Sequence, residues 1–95
     1  MGIFLITHHG SQKAELTQAI ETKFPDDHFK VSTMTWLVSF EGTAESLSRD
    51  LGIVSDDGSN IGRTMVTGVS SYYGVEPVDV WEWIRVNWPG GPHGR

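Results

Sequence analysis

Two pairs of adjacent polar residues carry side chains that could do chemistry. His8 and His9 directly follow an apolar run, and Asp56 and Asp57 lie in a loop further along the chain. An imidazole beside a carboxylate can act as a general base with its orienting acid, or form part of a divalent-metal site. These four residues are the candidate catalytic groups, and His8, His9 and Asp57 are the candidate metal ligands.

The same residues also have an ordinary structural interpretation. Two neighbouring histidines have no diagnostic metal-ligand spacing, and Asp56-Asp57-Gly58 is a very common turn sequence. In an extended segment His8 and His9 point to opposite faces, so a single site would normally use one of them. The pattern favours strand-end and surface roles over a catalytic or metal-binding role.

Charge and composition limit the partners that we expect. The formal net charge of −5 over 95 residues argues against non-specific nucleic-acid binding, which needs basic side chains that displace counterions. The absence of cysteine excludes disulfides, thiolate metal sites and a cysteine nucleophile. No apolar stretch is long enough for a membrane span or a signal peptide. We expect a cytoplasmic protein without a cofactor, unless the candidate residues bind Mg²⁺ or Mn²⁺.

Hydrophobic spacing predicts one domain over residues 1–88, followed by a flexible tail at 89–95. Ser11 and Thr43 are typical helix caps and should begin the first and second helices. The order β-α-β-β-α-β closes most naturally into a ferredoxin-like α+β sandwich with a four-stranded antiparallel sheet and an extra C-terminal helix. The predicted strands are 2–7, 29–31, 35–40 and 63–70, and the predicted helices are 12–24, 44–51 and one that begins at Pro77.

This topology brings separate parts of the chain to one edge of the sheet. The end of the first strand, the turn between strands two and three, and the loop before strand four should all lie there. His28 and Glu41 are expected at the opposite edge. The residues gathered at the first edge are His8, His9, Ser11, Ser32, Thr33, Asp56 and Asp57.

Aromatic residues are concentrated near the C-terminal helix. Trp81, Ile84 and Trp88 share one helix face, whereas Trp83 lies off that face. The helix is expected to cover the open face of its own sheet or of a second subunit. Tyr72 and its neighbour Tyr73 could stack on bases with these tryptophans, but core or dimer packing is the favoured interpretation.

The strand pattern resembles that of a known family. The segment Ile3-Phe4-Leu5-Ile6-Thr7, a helix, and Ser32-Thr33-Met34-Thr35-Trp36-Leu37-Val38-Ser39 resemble small ferredoxin-fold proteins related to the CRISPR adaptation endoribonuclease-like subunit, especially its SinR-like relatives. The similarity covers about residues 3–70. It implies a homodimer built through the sheets, with an Asp after the first strand that holds a divalent metal. In this chain Thr7-His8-His9 occupies that place.

Two functions follow from these observations. The first is a homodimeric, non-enzymatic module for protein interaction or assembly, which the acidic composition and the missing Asp favour. The alternative is a divalent-metal-dependent nuclease or phosphodiesterase that uses His8 or His9 with Asp56 or Asp57. The enzyme requires an imidazole and a carboxylate to lie within reach of one metal ion, either in one chain or across a dimer axis.

Overall fold

Residues 2–58 and 60–88 are described by the computed structural model, and the predicted tail at 89–95 lies outside them. The predicted order of elements is confirmed. None of the helices in the described part is long and apolar enough to cross a bilayer. The elements are β1 (Gly2–His8), α1 (Lys13–Lys23), β2 (His28–Ser32), β3 (Thr35–Phe40), α2 (Ala44–Asp50), β4 (Thr64–Gly68) and α3 (Val78–Asn87).

The strands form one antiparallel sheet in the order β2-β3-β1-β4. The apolar strand β1 lies in the interior of this order, where Leu5 is opposite Leu37 of β3 and Thr67 of β4. Alternate residues of β1 face opposite sides of the sheet. Because both sides are covered by helices, the continuous apolar sequence of β1 is explained.

Helices α1 and α2 cover one face of the sheet. Leu16 and Ile20 of α1 are fully buried against this face, together with Leu47 of α2. Their helical spacing places the apolar side chains on one stripe, which is why these short helices fold against the strands. The other buried members of this cluster are Phe4, Ile6, Trp36, Val38, Leu51 and Ile53.

Helix α3 covers the opposite face of its own sheet. From the sequence, the sheet of a second subunit was the other possibility. Val80 and Ile84 are buried against Ile3 and Leu37 of the strands. Trp83 was expected to lie off the packed stripe, but its ring packs against Phe29 at a centroid distance of 6.3 Å. The apolar face of α3 is therefore wider than the i, i+3, i+7 pattern indicates.

The helix caps agree with the sequence at one position and differ at the other. Ser11 was expected to cap α1, but Gln12 is the N-cap, and its side chain makes no capping hydrogen bond. The chain before α1 is instead held by the His9 backbone N–H, which donates to the Arg63 carbonyl at 2.7 Å. Thr43 caps α2 as expected.

The Thr43 cap provides a test of local stability. Thr43 Oγ1 accepts from the Ser46 backbone N–H at 3.1 Å, and Ser46 Oγ accepts from the Thr43 N–H at 2.9 Å. We expect Thr43→Ala to lower the free energy of unfolding by about 1 kcal/mol, because one N–H of the first turn loses its partner. Urea denaturation measures the change. Thr22→Ala, an exposed change within α1, is the control, and an equal loss in both variants would contradict the capping role.

Candidate functional site

The end of β1 meets two other segments at one edge of the sheet. The backbone N–H of His8 donates to the Met34 carbonyl at 3.0 Å, which joins β1 to the turn between β2 and β3. The N–H of His9 donates to the Arg63 carbonyl at 2.7 Å, which joins it to the loop before β4. These three segments therefore lie together, as the topology predicted.

The remaining residues of this edge are solvent-facing. Ser11, Ser32 and Thr33 are exposed, and none of them is drawn into a cluster with the histidines by a described hydrogen bond. His28 begins β2, and Glu41 follows the end of β3, so both lie at the opposite edge as expected. We call this edge of the sheet, where His8, Ser11, Ser32 and Thr33 lie, the polar edge. Its described side chains are on the surface, except for the buried His8.

His8 and His9 differ sharply in exposure to solvent. The His8 side chain lies on the face that α1 and α2 cover, and the residue is only 2% exposed. His9 is exposed. Only one of the two imidazoles is therefore in direct contact with solvent.

The His8 imidazole is held by β4. Its Nδ1 lies 2.8 Å from Thr64 Oγ1, and that hydroxyl donates its proton to the Gly62 carbonyl at 3.2 Å. A neutral His8 that donates from Nδ1 to this hydroxyl satisfies both contacts. The lone pair is then on Nε2, which is buried and has no hydrogen-bond partner among the described residues.

Two glycines close the chain over this ring. A Cβ at Gly10 would lie 3.0 Å from the Arg63 nitrogen and 3.3 Å from His8 Cε1. Gly62 has φ +94°, and a Cβ there would lie 3.6 Å from the same ring carbon. The close approach at Gly10 and the left-handed backbone at Gly62 both favour glycine. This packing helps to shield the imidazole from solvent.

The two aspartates lie on the surface after α2. The Asp56 carboxylate accepts a hydrogen bond from Arg49 Nη1, in the last turn of α2. Asp57 belongs to the exposed turn in which the Gly58 N–H donates to the Ser55 carbonyl at 3.0 Å. The described contact of Asp56 is thus a surface ion pair with Arg49.

A metal site is not assembled by the described part of one chain. Residues 2–58 and 60–88 contain no group of three or more His, Asp or Glu side chains that could hold a metal ion. His8 Nε2 has the lone pair that a metal would need, but it is buried. The catalytic and metal-binding roles of His8, His9 and Asp57 stay predictions.

Variants at His8 and at its hydrogen-bond partner Thr64 test whether the buried imidazole contributes to stability. We expect His8→Leu to change the free energy of unfolding by less than about 1 kcal/mol, because the lost hydrogen bond is offset by removal of an unpaired buried nitrogen. Thr64→Val should cost about 1–2 kcal/mol, because it leaves the His8 Nδ1–H unpaired. Urea denaturation of both variants checks whether Thr64→Val loses more free energy of unfolding than His8→Leu. A larger loss for His8→Leu would show that Nε2 has a favourable partner.

A second candidate site lies beside α3. A cavity of about 580 Å³, which we call the aromatic cleft, is lined by Tyr72, Tyr73, Gly74, Trp81, Glu82 and Arg85. The Tyr72 and Trp81 rings are stacked, with centroids 5.7 Å apart and an interplanar angle of 24°. Tyr72 also meets Trp88 edge-on, at a centroid distance of 5.0 Å. This ring cluster fixes one wall of the cleft.

The chain that borders the cleft exposes apolar side chains. Tyr73 and Val75 are fully exposed, and Val78, the first residue of α3, is 75% exposed. A second cavity of about 360 Å³, lined in part by Tyr73 and Val75, extends between α3 and the sheet. We call Tyr73, Val75 and Val78 the apolar rim. From the sequence we expected the tyrosines and tryptophans to serve in packing. Tyr72 and Trp81 do pack against the core, whereas Tyr73 is exposed.

The polar wall of the cleft is one ion pair. Arg85 Nη2 donates to Glu82 Oε1 at 3.0 Å. This hydrogen bond, together with the positive charge of Arg85, lowers the pKa of Glu82, and Glu82 raises the pKa of Arg85 in the same way. Both groups are fully ionised at neutral pH, so the cleft presents two charges beside its aromatic rings.

Comparison with known proteins assigns no family to the chain. The sequence matches no protein-family model, and no curated protein matches it. The choice between the polar edge and the aromatic cleft therefore depends on the geometry of the two sites.

Proposed function

We propose that the protein is a homodimeric interaction module that associates through the apolar rim beside the aromatic cleft. The observation that carries this proposal is the exposure of Tyr73, Val75 and Val78 within one short stretch of chain. Single exposed apolar residues are common, but a group beside an apolar cavity is typical of an interaction surface. Aromatic residues are also enriched at protein interfaces, where they combine apolar area with a polar tip.

The chemistry of the cleft favours binding over catalysis. Its described lining contains tyrosine, tryptophan, glycine and one Glu–Arg ion pair, and both charged groups are already paired with each other. General acid–base catalysis needs a group whose pKa lies near the working pH. The shift of Glu82 is downward, away from neutral pH, so this carboxylate is a poor base.

We further propose a ferredoxin-like topology for the sheet. The order β2-β3-β1-β4 with antiparallel neighbours supports it, because two interleaved β-α-β units produce this order. The resemblance to SinR-like relatives of the CRISPR adaptation subunit remains a proposal that the strand pattern supports, and it also implies a homodimer. A cytoplasmic location is likewise proposed, since the chain has no cysteine.

Sedimentation equilibrium over a wide concentration range tests the dimer. We expect wild type to dimerise, and Tyr73→Ser/Val75→Ser to raise the dimer Kd at least tenfold, because an aromatic and an aliphatic contact are removed. Val54→Ser is the matched control: Val54 is 45% exposed and follows α2, on the other side of the sheet. A wild-type monomer at all concentrations, or an unchanged Kd in the double variant, would contradict the proposal.

The second candidate function is a divalent-metal-dependent nuclease or phosphodiesterase. The observation that favours it is His8 Nε2, a buried ring nitrogen that has no hydrogen-bond partner among the described residues and that binds metals in the neutral form of imidazole. Nuclease assays with and without manganese compare wild type with His8→Ala/His9→Ala. Manganese-dependent activity that the double variant loses would place this function first. Absence of activity in wild type would exclude it for the substrates assayed.

A further inference from the structure

The two outermost strands of the sheet differ in how they are protected. The order β2-β3-β1-β4 places β2 and β4 at its two sides. An outermost strand presents N–H and C=O groups that can pair with another chain, and natural proteins block them with charges, proline or β-bulges. β2 has such protection, because its pairing shifts register between Lys30 and Ser32 and because Lys30 is exposed. β4 contains no charge or proline, and its pairing with β1 is unbroken.

Alternate backbone groups of β4 point away from β1. The Val69 N–H donates to the Ile3 carbonyl at 2.9 Å, and the His9 N–H donates to the Arg63 carbonyl at 2.7 Å. Hydrogen-bonded and non-hydrogen-bonded pairs alternate along an antiparallel ladder, so residues 65 and 67 bond to β1 and residues 64, 66 and 68 direct their N–H and C=O groups outward. Within residues 2–58 and 60–88, no backbone hydrogen bond to these outward groups is made.

The outward groups of β4 are complementary to those of a second β4. When two copies of the strand run antiparallel about a two-fold axis at Val66, the outward groups of Val66 meet those of its copy. Those of Thr64 meet those of Gly68 in the same way, so every outward group of the strand has a partner. A register shift by one residue would oppose them to residues 65 and 67, whose groups already bond to β1.

The side chains of β4 allow this pairing as well. With the axis perpendicular to the sheet, Met65 of one copy lies beside Thr67 of the other on the face that α3 packs against. α3 contacts β1 and β2, and Met65 is left 59% exposed. Like charges directly opposite each other are destabilising, and β4 contains none. Arg63, just before β4, would lie six residues along the strand from its copy, at about 20 Å.

We propose that β4 pairs with β4 of a second copy of the chain, antiparallel about an axis at Val66, so that two four-stranded sheets become one continuous sheet. The contact uses no residue of the apolar rim and does not rest on the proposed rim dimer. Met65 is the exposed large apolar side chain that β4 contributes. Because so little apolar surface is available, we expect the β4 contact to form at higher concentration than the rim contact.

Disulfide trapping tests the pairing, because the chain has no cysteine of its own. Directly opposite residues have Cα atoms about 4.5–5.5 Å apart, which a disulfide can bridge, whereas diagonal neighbours at about 7–8 Å are too far apart. Chains with Met65→Cys would be mixed with chains with Thr67→Cys under mild oxidation. We expect the mixed disulfide to exceed the two self-disulfides together by at least about fivefold, because only the mixed pair is directly opposite. Both positions are exposed, so the fold should tolerate the changes.

Val66→Cys is the second variant, and it should form a disulfide with its own copy because it lies on the axis. Val66 is less exposed than Met65, so random collision would cross-link Met65→Cys faster than Val66→Cys. The control is a mixture of Ser32→Cys and Thr33→Cys chains, whose exposed positions in the β2–β3 turn should give no excess of mixed disulfide. No disulfide at any concentration, or self-disulfides of Met65→Cys equal to the mixed species, would overturn the proposal.

The same trapping in a Tyr73→Ser/Val75→Ser background separates β4 pairing from the apolar rim. The excess of mixed disulfide should persist there, because the rim residues take no part in the β4 contact. Loss of the excess in this background would overturn β4 pairing as an independent contact. If the excess persists while sedimentation gives wild type and the rim variant the same dimer Kd, β4 pairing stands and the rim dimer is wrong.

Discussion

Trp36→Ala is expected to lower the free energy of unfolding by about 3–5 kcal/mol, because it removes the largest fully buried side chain of the core. Trp36 lies opposite Ile6 across the β1–β3 pair and is 1% exposed between the sheet and the helices α1 and α2. Domains of this size have a total stability of about 5–15 kcal/mol. The variant should therefore be partly unfolded in urea concentrations that wild type withstands.

Trp83→Ala is the matched control for this prediction. Trp83 is only half-buried, and its described ring contact is a tilted one with Phe29. We expect it to cost about 1–2 kcal/mol, because less apolar area leaves contact with the protein. Urea midpoints measured on both variants check the order. Equal losses in free energy of unfolding would contradict the prediction that the more deeply buried Trp36 contributes more to stability than Trp83.

Ile84→Asp is expected to release α3 from the sheet. Ile84 is 4% exposed within the apolar cluster of Ile3, Leu37 and Val80, where an ionised carboxylate would have no partner. The cost of burying that charge is several kcal/mol, so the helix should leave the sheet rather than keep the carboxylate inside. Hydrogen exchange should show loss of protection in α3 while the amides of α1 remain protected.

Val86→Asp separates this effect from a general loss of helix stability. Val86 is on α3 but is 58% exposed, so a carboxylate there stays in water. We expect α3 to keep its protection in this variant. If Val86→Asp released α3 as fully as Ile84→Asp, burial of Ile84 against the sheet would not be what holds the helix.

Strands and helices could be predicted from the sequence where the local residue pattern matches the burial of the element in the fold. β3 was predicted with its observed bounds, because the segment Thr35–Phe40 is rich in β-branched and aromatic residues. The start of α1 could not be predicted from capping preference alone. The hydrogen bond from His9 to Arg63 holds the chain just before the helix, and these two residues are far apart in sequence.

The candidate sites were less predictable, because each depends on contacts between distant residues. The described partner of Asp56 is Arg49, and no residue pattern in the sequence indicated this ion pair. Burial of His8 depends on Gly62, which approaches it from the loop before β4. The stack of Tyr72 on Trp81 likewise forms only when α3 lies on the sheet.

Hydrogen exchange at two protein concentrations tests the central claim of association through the apolar rim most directly. Full-length chain would be compared well above and well below the dimer Kd. Burial at an interface should slow exchange of the amides from Tyr73 to Val78 at the higher concentration, while α1 exchanges at the same rate in both samples. Equal exchange of the Tyr73–Val78 segment at the two concentrations, in samples where sedimentation shows a dimer, would contradict the claim.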